Sequence, residues 1–161
     1  MSIWLRLEFS RTTWWRLLRE LRRRGGGRRE SGAFLLGRRT SGVASIRDFV
    51  CYDDLDPRAL KSGCVTFHGS GFPRLWEICR ERDLQVIADV HTHPGRDTRQ
   101  SGIDQRHPMI PVAGHIALIV PQFATGNRFS LRGVGVHEYR GGNWKDRTGE
   151  QPAAVRLTWS S

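Results

Sequence analysis

Several classes of protein are excluded by what this sequence lacks. It contains no run of about 18 apolar residues, so no segment is long and apolar enough to be a transmembrane helix. Its N-terminus has no uninterrupted apolar stretch, because Arg6 and Glu8 break the first eight residues, and no signal peptide is expected. Cysteine is scarce. The three present (Cys51, Cys64, Cys79) make an odd set with no C-x-x-C pair, which argues against a structural zinc knuckle. They are read as reduced thiols of a cytoplasmic protein. There is no internal repeat and no long linker. Basic and aromatic residues do not interleave as a nucleic-acid stacking platform requires, so Trp4, Trp14, Trp15, Trp76 and Trp144 are assigned to the core or to partner contacts.

Acidic residues are also in short supply, 16 against 26 Lys and Arg, which leaves a formal net charge of +10. Much of the excess sits early, at Arg16, Arg19, Arg22, Arg23, Arg24, Arg28 and Arg29. Such a run can attract nucleic acid or an acidic partner. It is equally the solvated face of a helix with a basic C-terminal end, which the helix dipole favours. The second reading, or a protein partner, is preferred, and nucleic acid is not expected.

What is present suits one globular domain over residues 1–161, with 38% hydrophobic and 26% charged residues. Ile3 to Phe9 alternate in hydropathy, as a strand does. Ser10, Thr12 and Thr13 offer N-caps, and Trp14, Leu17, Leu18 and Leu21 form one apolar helix stripe that should end at Gly25-Gly26-Gly27. Two strands follow, Gly32 to Arg38 and Val43 to Tyr52, joined at Thr40-Ser41-Gly42. Asp53 to Gly63 reads as a loop with a possible helix start at Asp56-Pro57. Cys64 to His68 reads as a short strand, and Pro73 to Arg82 as a helix with Leu75, Ile78 and Cys79 inward. Further strands are expected at Leu84 to Val90, His115 to Val120 and Leu131 to Tyr139, with a Gly141-Gly142 turn before Trp144. The sum is an α/β fold, a mixed β-sheet flanked by two or three helices.

The chemistry concentrates in His91-Thr92-His93-Pro94, followed by Ser101 and Asp104. A catalytic zinc takes three nitrogen or oxygen ligands and keeps one position for water. Two histidines at i and i+2 at a strand end can point to the same side and chelate together. Pro94 then turns the chain, Ser101 N-caps a following helix, and Asp104 arrives from its first turn as a hard oxygen donor. A lone His-x-His is usually two unremarkable histidines. A serine and an aspartate at these offsets make a metal site the favoured reading. His68, His107, His115 and His137 have no ligand-like partner at fixed spacing and are read as surface or core imidazoles, with His115 a possible second support of the site.

This pattern, His-x-His, seven residues, Ser, two residues, Asp, is identified as the JAMM signature of the JAB/MPN metallopeptidases. The segment Glu30-Ser31-Gly32-Ala33-Phe34-Leu35-Leu36-Gly37 resembles that family's upstream glutamate strand. Gly114-His115-Ile116-Ala117-Leu118-Ile119-Val120 resembles its strand after the metal helix, and Glu138 to Trp144 its later Glu-Tyr…Gly…Trp ending. The resemblance implies a cytidine-deaminase-like fold and Zn2+ held by His91, His93 and Asp104. It also implies Glu30 as general base and Ser101 as oxyanion donor. Thr92, between the ligands, is expected to orient one of them through a hydrogen bond.

The family cuts after the diglycine end of ubiquitin or ubiquitin-like proteins. The implied substrate is therefore a ubiquitin-like protein or its conjugates, released by deconjugation or precursor processing. The compact chain resembles stand-alone prokaryotic members, including those of bacterial antiphage systems. An alternative is a RadC-like, DNA-repair-associated relative, which the basic charge favours and the Glu30 to Gly37 segment disfavours. A catalytically inactive MPN scaffold is a third reading, and the intact glutamate and ligands argue against it.

Overall fold

The computed structural model describes residues 5–159. Ile3 and Trp4, at the head of the expected first strand, lie outside the described residues. The elements run β1 (Arg6–Ser10), α1 (Arg11–Gly25), β2 (Gly32–Thr40), β3 (Val43–Cys51), α2 (Tyr52–Leu55), α3 (Phe72–Arg82), β4 (Gln85–Thr92), α4 (Gly102–Arg106), β5 (Ile116–Val120), β6 (Gly135–Tyr139), β7 (Trp144–Asp146) and β8 (Val155–Thr158). They form one eight-stranded sheet in the order β7-β6-β5-β4-β2-β3-β1-β8. The sheet is mixed. β1 runs parallel to β3 and β8, and β4 parallel to β5, while β2 is antiparallel to both its neighbours. No helix among the described residues is long and apolar enough to cross a membrane.

Alternation along β2 sorts the core into two layers. Ala33 and Leu35 face α1, where Trp14, Leu17, Leu18 and Leu21 are buried with Leu7, Phe9, Ala88, Val90 and Leu118. Phe34 and Leu36 face the other way, towards Tyr52, Leu75 and Ile78 on α2 and α3. Each large side chain removed from water contributes about 1.5–3 kcal/mol, so the α1 stripe alone accounts for much of the attachment of that helix. The helix begins and ends where its sequence directs. The Ser10 side chain accepts the Thr13 N–H, and Gly26 takes the left-handed conformation that ends it.

The β2–β3 hairpin turns on Ser41 and Gly42, both at positive φ (49° and 80°), the two-residue turn that matches strand twist. Tyr52, expected as the end of a strand, instead opens α2, whose first turn carries Asp53 and Asp54. The expected helix start at Asp56-Pro57 is a helix end. Pro57 disfavours the helical conformation at Asp56, which lies extended at φ −135°. Cys64 to His68 is not a sheet strand, and no strand pairs with it. The Leu131 strand begins only at Gly135, because Gly133 sits at φ 81° and breaks the extended run. β8 was not anticipated; four residues give too little alternation to read.

One turn departs from ordinary backbone. Gln122, Phe123 and Ala124, just after β5, are three consecutive non-glycine residues at positive φ (54°, 51° and 61°). Each such residue costs of order 1–3 kcal/mol and persists only when its surroundings hold it.

Gly32 has a packing reason beside the site. A Cβ there would stand 2.4 Å from Tyr52 Cε2 and 2.6 Å from the Val90 carbonyl oxygen. Gly32→Ala should destabilise the protein by about 1–3 kcal/mol in a urea titration. An unchanged midpoint would show that the tyrosine ring can retreat without cost.

Candidate metal centre

The central pairing of the sheet sets up the site. Gly32 on β2 is the register partner of His91 on β4. The pairing continues one residue further, where Thr92 N–H donates to the Ser31 carbonyl at 2.9 Å and Ser31 N–H donates to the Thr92 hydroxyl oxygen at 3.0 Å. Glu30 is the next residue along β2's leading end, and His93 the next along β4. The Thr92 hydroxyl, expected on a ligand, is thus engaged with the Ser31 peptide and holds the approach to Glu30.

His91 and His93 are both buried, and Asp104 comes from the first turn of α4. The imidazole Nε2 atoms lie 3.2 Å apart; that of His91 is 3.3 Å from Asp104 Oδ1 and that of His93 is 3.3 Å from Asp104 Oδ2. All three ligand atoms fall within 4.8 Å of one another. A tetrahedral ion with bonds of about 2.0–2.1 Å spaces its ligand atoms roughly 3.3 Å apart, so these spacings suit a divalent ion of zinc's size. The donor set also fits a divalent ion that is not exclusively thiophilic. The tautomer of His93 is set from behind. Its Nδ1 donates to the Asp97 carbonyl at 2.9 Å, which leaves the Nε2 lone pair for a metal.

Asp104 is fixed by a reciprocal cap. Its N–H donates to Ser101 Oγ at 3.2 Å, and the Ser101 N–H donates to Asp104 Oδ2 at 2.7 Å. Burial pushes the Asp104 carboxyl up, but hydrogen bonds to His91 and His93 outweigh it and hold the group well below the usual carboxylate range. Burial pushes His93 down, yet the hydrogen bonds to Asp104 and to the Asp97 carbonyl, with the nearby charges of Asp104 and Glu30, leave it raised. Glu30 therefore sits within electrostatic reach of the ligands. It is half-buried, and its Oε2 accepts the Val65 N–H at 3.2 Å.

Several supporting residues were not singled out by sequence. His137 Nε2 donates to the Thr98 carbonyl at 2.8 Å, one residue beyond the carbonyl that His93 holds. Gly135 gives that loop room, since a Cβ there would stand 2.3 Å from the Thr98 carbonyl oxygen. His115 and Asp89 form a fully buried pair at 2.7 Å, not a direct contact with the ligands. Asp56 ties the segment beside Glu30, accepting from the His68 N–H at 3.0 Å and pairing with the His68 ring. Isolated histidines carry no spacing signal, so nothing in the sequence distinguished His68 and His137 from other imidazoles, while His115, read as a support of the site, pairs with Asp89. Two clefts flank α4. A polar one of about 910 Å³ is lined by His93, Ser101, Gln105, Arg106, His137 and Trp144. A more apolar one of about 760 Å³ runs along Val65, Phe67, Phe72, Ile103, Asp104 and Met109.

Comparison with known proteins bears on this arrangement. The family model of prokaryotic homologs of the JAB domain matches residues 13–132, which includes Glu30, both histidines, Ser101 and Asp104. The solution structure of protein DSY2949 from Desulfitobacterium hafniense is similar in fold, with a TM-score of 0.68 at 14% identity over 96% of this chain and 94% of that one.

Two outcomes follow. Ligation requires a neutral His93, whose pKa is raised, so metal uptake should release protons and Zn2+ affinity should fall as pH drops through that raised value. Calorimetry in buffers of different ionisation enthalpy measures this, and Asp104→Ala should abolish the binding. Burial alone would raise the Asp56 carboxyl, but hydrogen bonds from the His68 ring and N–H and the Arg58 N–H bring it down to about 2. A folded-state value below the unfolded one means stability present above about pH 4 and lost as pH falls towards 2. Asp56→Asn should remove that acid limb from the stability profile.

Proposed function

Because the chain belongs to the family of prokaryotic homologs of the JAB domain, we propose that it is a zinc-dependent peptidase or isopeptidase. In this reading it cuts after the C-terminal glycine of a ubiquitin-like protein. The observation that carries the reading is the cluster of His91, His93 and Asp104, with Glu30 brought to the same end of the sheet by the β2–β4 pairing. A zinc ion held there supplies Lewis acidity and lowers the pKa of water towards about 7.

The chain's own groups do the rest. The Glu30 carboxylate takes a proton from the attacking water and returns it to the departing amine nitrogen. Val65 N–H holds one Glu30 oxygen, which leaves the other to work. The Ser101 Oγ accepts the Asp104 N–H, so its own O–H is free to donate to the carbonyl oxygen as negative charge develops. The hydrogen-bonded positions of buried His93 and partly buried Asp104 mean that little reorganisation accompanies the reaction.

The substrate class is supported by the groove beside Asp104. Its wall at Val65 to Phe67 belongs to no sheet strand among the described residues. The Val65 and Thr66 N–H groups there are already held by Glu30 and Ala59, so a peptide tail would lie along the apolar lining of the groove and not as an added strand. A tail ending in glycines would pass the metal without steric conflict. Deconjugation and precursor processing both require this geometry. A bacterial ubiquitin-like system, such as those of antiphage defence, would supply such a tail in the cytoplasm.

Glu30→Gln decides the matter. It should retain zinc while lowering cleavage of a diglycine-ended ubiquitin-like fusion by about 10²–10⁴-fold in single-turnover assays. Turnover at the unaltered rate would remove Glu30 from the reaction.

A further inference from the structure

The metal loop is held by an unusual partner. His93 N–H donates to the Val120 carbonyl at 2.9 Å, which extends the parallel pairing of β4 and β5 beyond its last strand residue. The chain after β5 would ordinarily leave the sheet at Pro121. It instead curls through Gln122, Phe123 and Ala124, all left-handed, and returns two amides to the loop. Phe123 N–H donates to the His93 carbonyl and Gln122 N–H to the Gly95 carbonyl, both at 2.9 Å. The turn is closed by Ala124 N–H to the Pro121 carbonyl at 3.1 Å and by Thr125, whose N–H and hydroxyl both donate to the Gln122 carbonyl.

A right-handed turn at this point would carry the Gln122 and Phe123 amides along a different path from the one that meets the loop. The disfavoured conformation and the two hydrogen bonds therefore belong together. Glycine, which adopts positive φ at no steric cost, occupies none of the three positions. Glycine would also loosen the turn, because it visits many other conformations.

We propose that the left-handed turn at Gln122–Ala124 is a positioning clasp for the metal centre. Its backbone amides hold the His93 and Gly95 carbonyls and so fix the His93 ring at the spacing that the ion requires. The inference rests on the metal-site reading above and adds to it a segment outside the ligand motif. With the Asp97 and Thr98 carbonyls held by His93 and His137, the clasp completes the restraint of the loop between the second histidine and Ser101.

The test is Gln122→Gly and Ala124→Gly, singly and together, with Ala113→Gly as a loop control at ordinary φ. The clasp variants should melt about 2–4 °C higher per substitution, as removal of disfavoured φ predicts for a chain of this size. They should nevertheless bind Zn2+ about tenfold or more weakly in chelator competition, as happens when supports of ligands are lost. A merely structural turn would move stability and affinity the same way, or affinity not at all, and either result overturns the proposal, as does a lower or unchanged melting temperature. Amide exchange of the metal-free protein gives a readout independent of zinc. Exchange should quicken at His93 and across Thr98–Asp104 in the clasp variants, and unchanged exchange there would refute the clasp. If the wild-type protein took up no divalent metal, the functional reading would fall, and the exchange comparison would still decide the clasp.

Discussion

The antiparallel register of β2 on β4 is the constraint from which the site follows. Side chains on paired strands share a face in matched rows, so a slip of one residue would send His91 and His93 to the α1 side of the sheet. The slip is opposed from both faces. Ala33 and Leu35 are buried against α1, and Phe34 and Leu36 against α2 and α3. The Ser31–Thr92 hydrogen bonds then carry the register past the last strand pair, and Glu30 arrives beside ligands some sixty positions away. The geometry of the candidate site is here a by-product of core packing.

Asp104 carries two demands at once. Its carboxylate closes the cap of α4 and faces two imidazoles. Few groups satisfy so many donors in a partly buried place, and the hydrogen bonds explain why the carboxyl stays ionised despite burial. The cap also preorganises the ligand. α4 is too short to be stable alone, and its five residues are held by Ser101, by the loop ahead of it and by the Trp144 indole, which donates to the Gln105 carbonyl.

Much of this was legible in the sequence because it is local. The α1 stripe, its Ser10 cap and its glycine stop, the β2–β3 turn, and the His-x-His…Ser-x-x-Asp spacing all depend on near neighbours along the chain. What was not legible depends on distant partners. Cys64 to His68 has strand-like residues, yet strand identity needs a neighbour, and none pairs with it. Tyr52 was drawn into α2 by the acidic turn after it and by the space over Gly32. The left-handed turn after β5 has no glycine to announce it. His68, His115 and His137 acquire their roles only from carboxylates and a carbonyl brought in by the fold.

The parallel pairing of β1 with β8 reaches beyond the site. β1 lies between β3 and the last strand of the chain, with Leu7 opposite both Ala44 and Val155. During synthesis β8 emerges only after the other seven strands, so until then one side of β1 has no hydrogen-bonding partner. An unfinished chain thus carries an open strand edge, the kind of surface that recruits other chains. The arrival of Val155–Thr158 covers β1 and leaves at that end of the sheet only a four-residue strand, a shorter template than the one it hides.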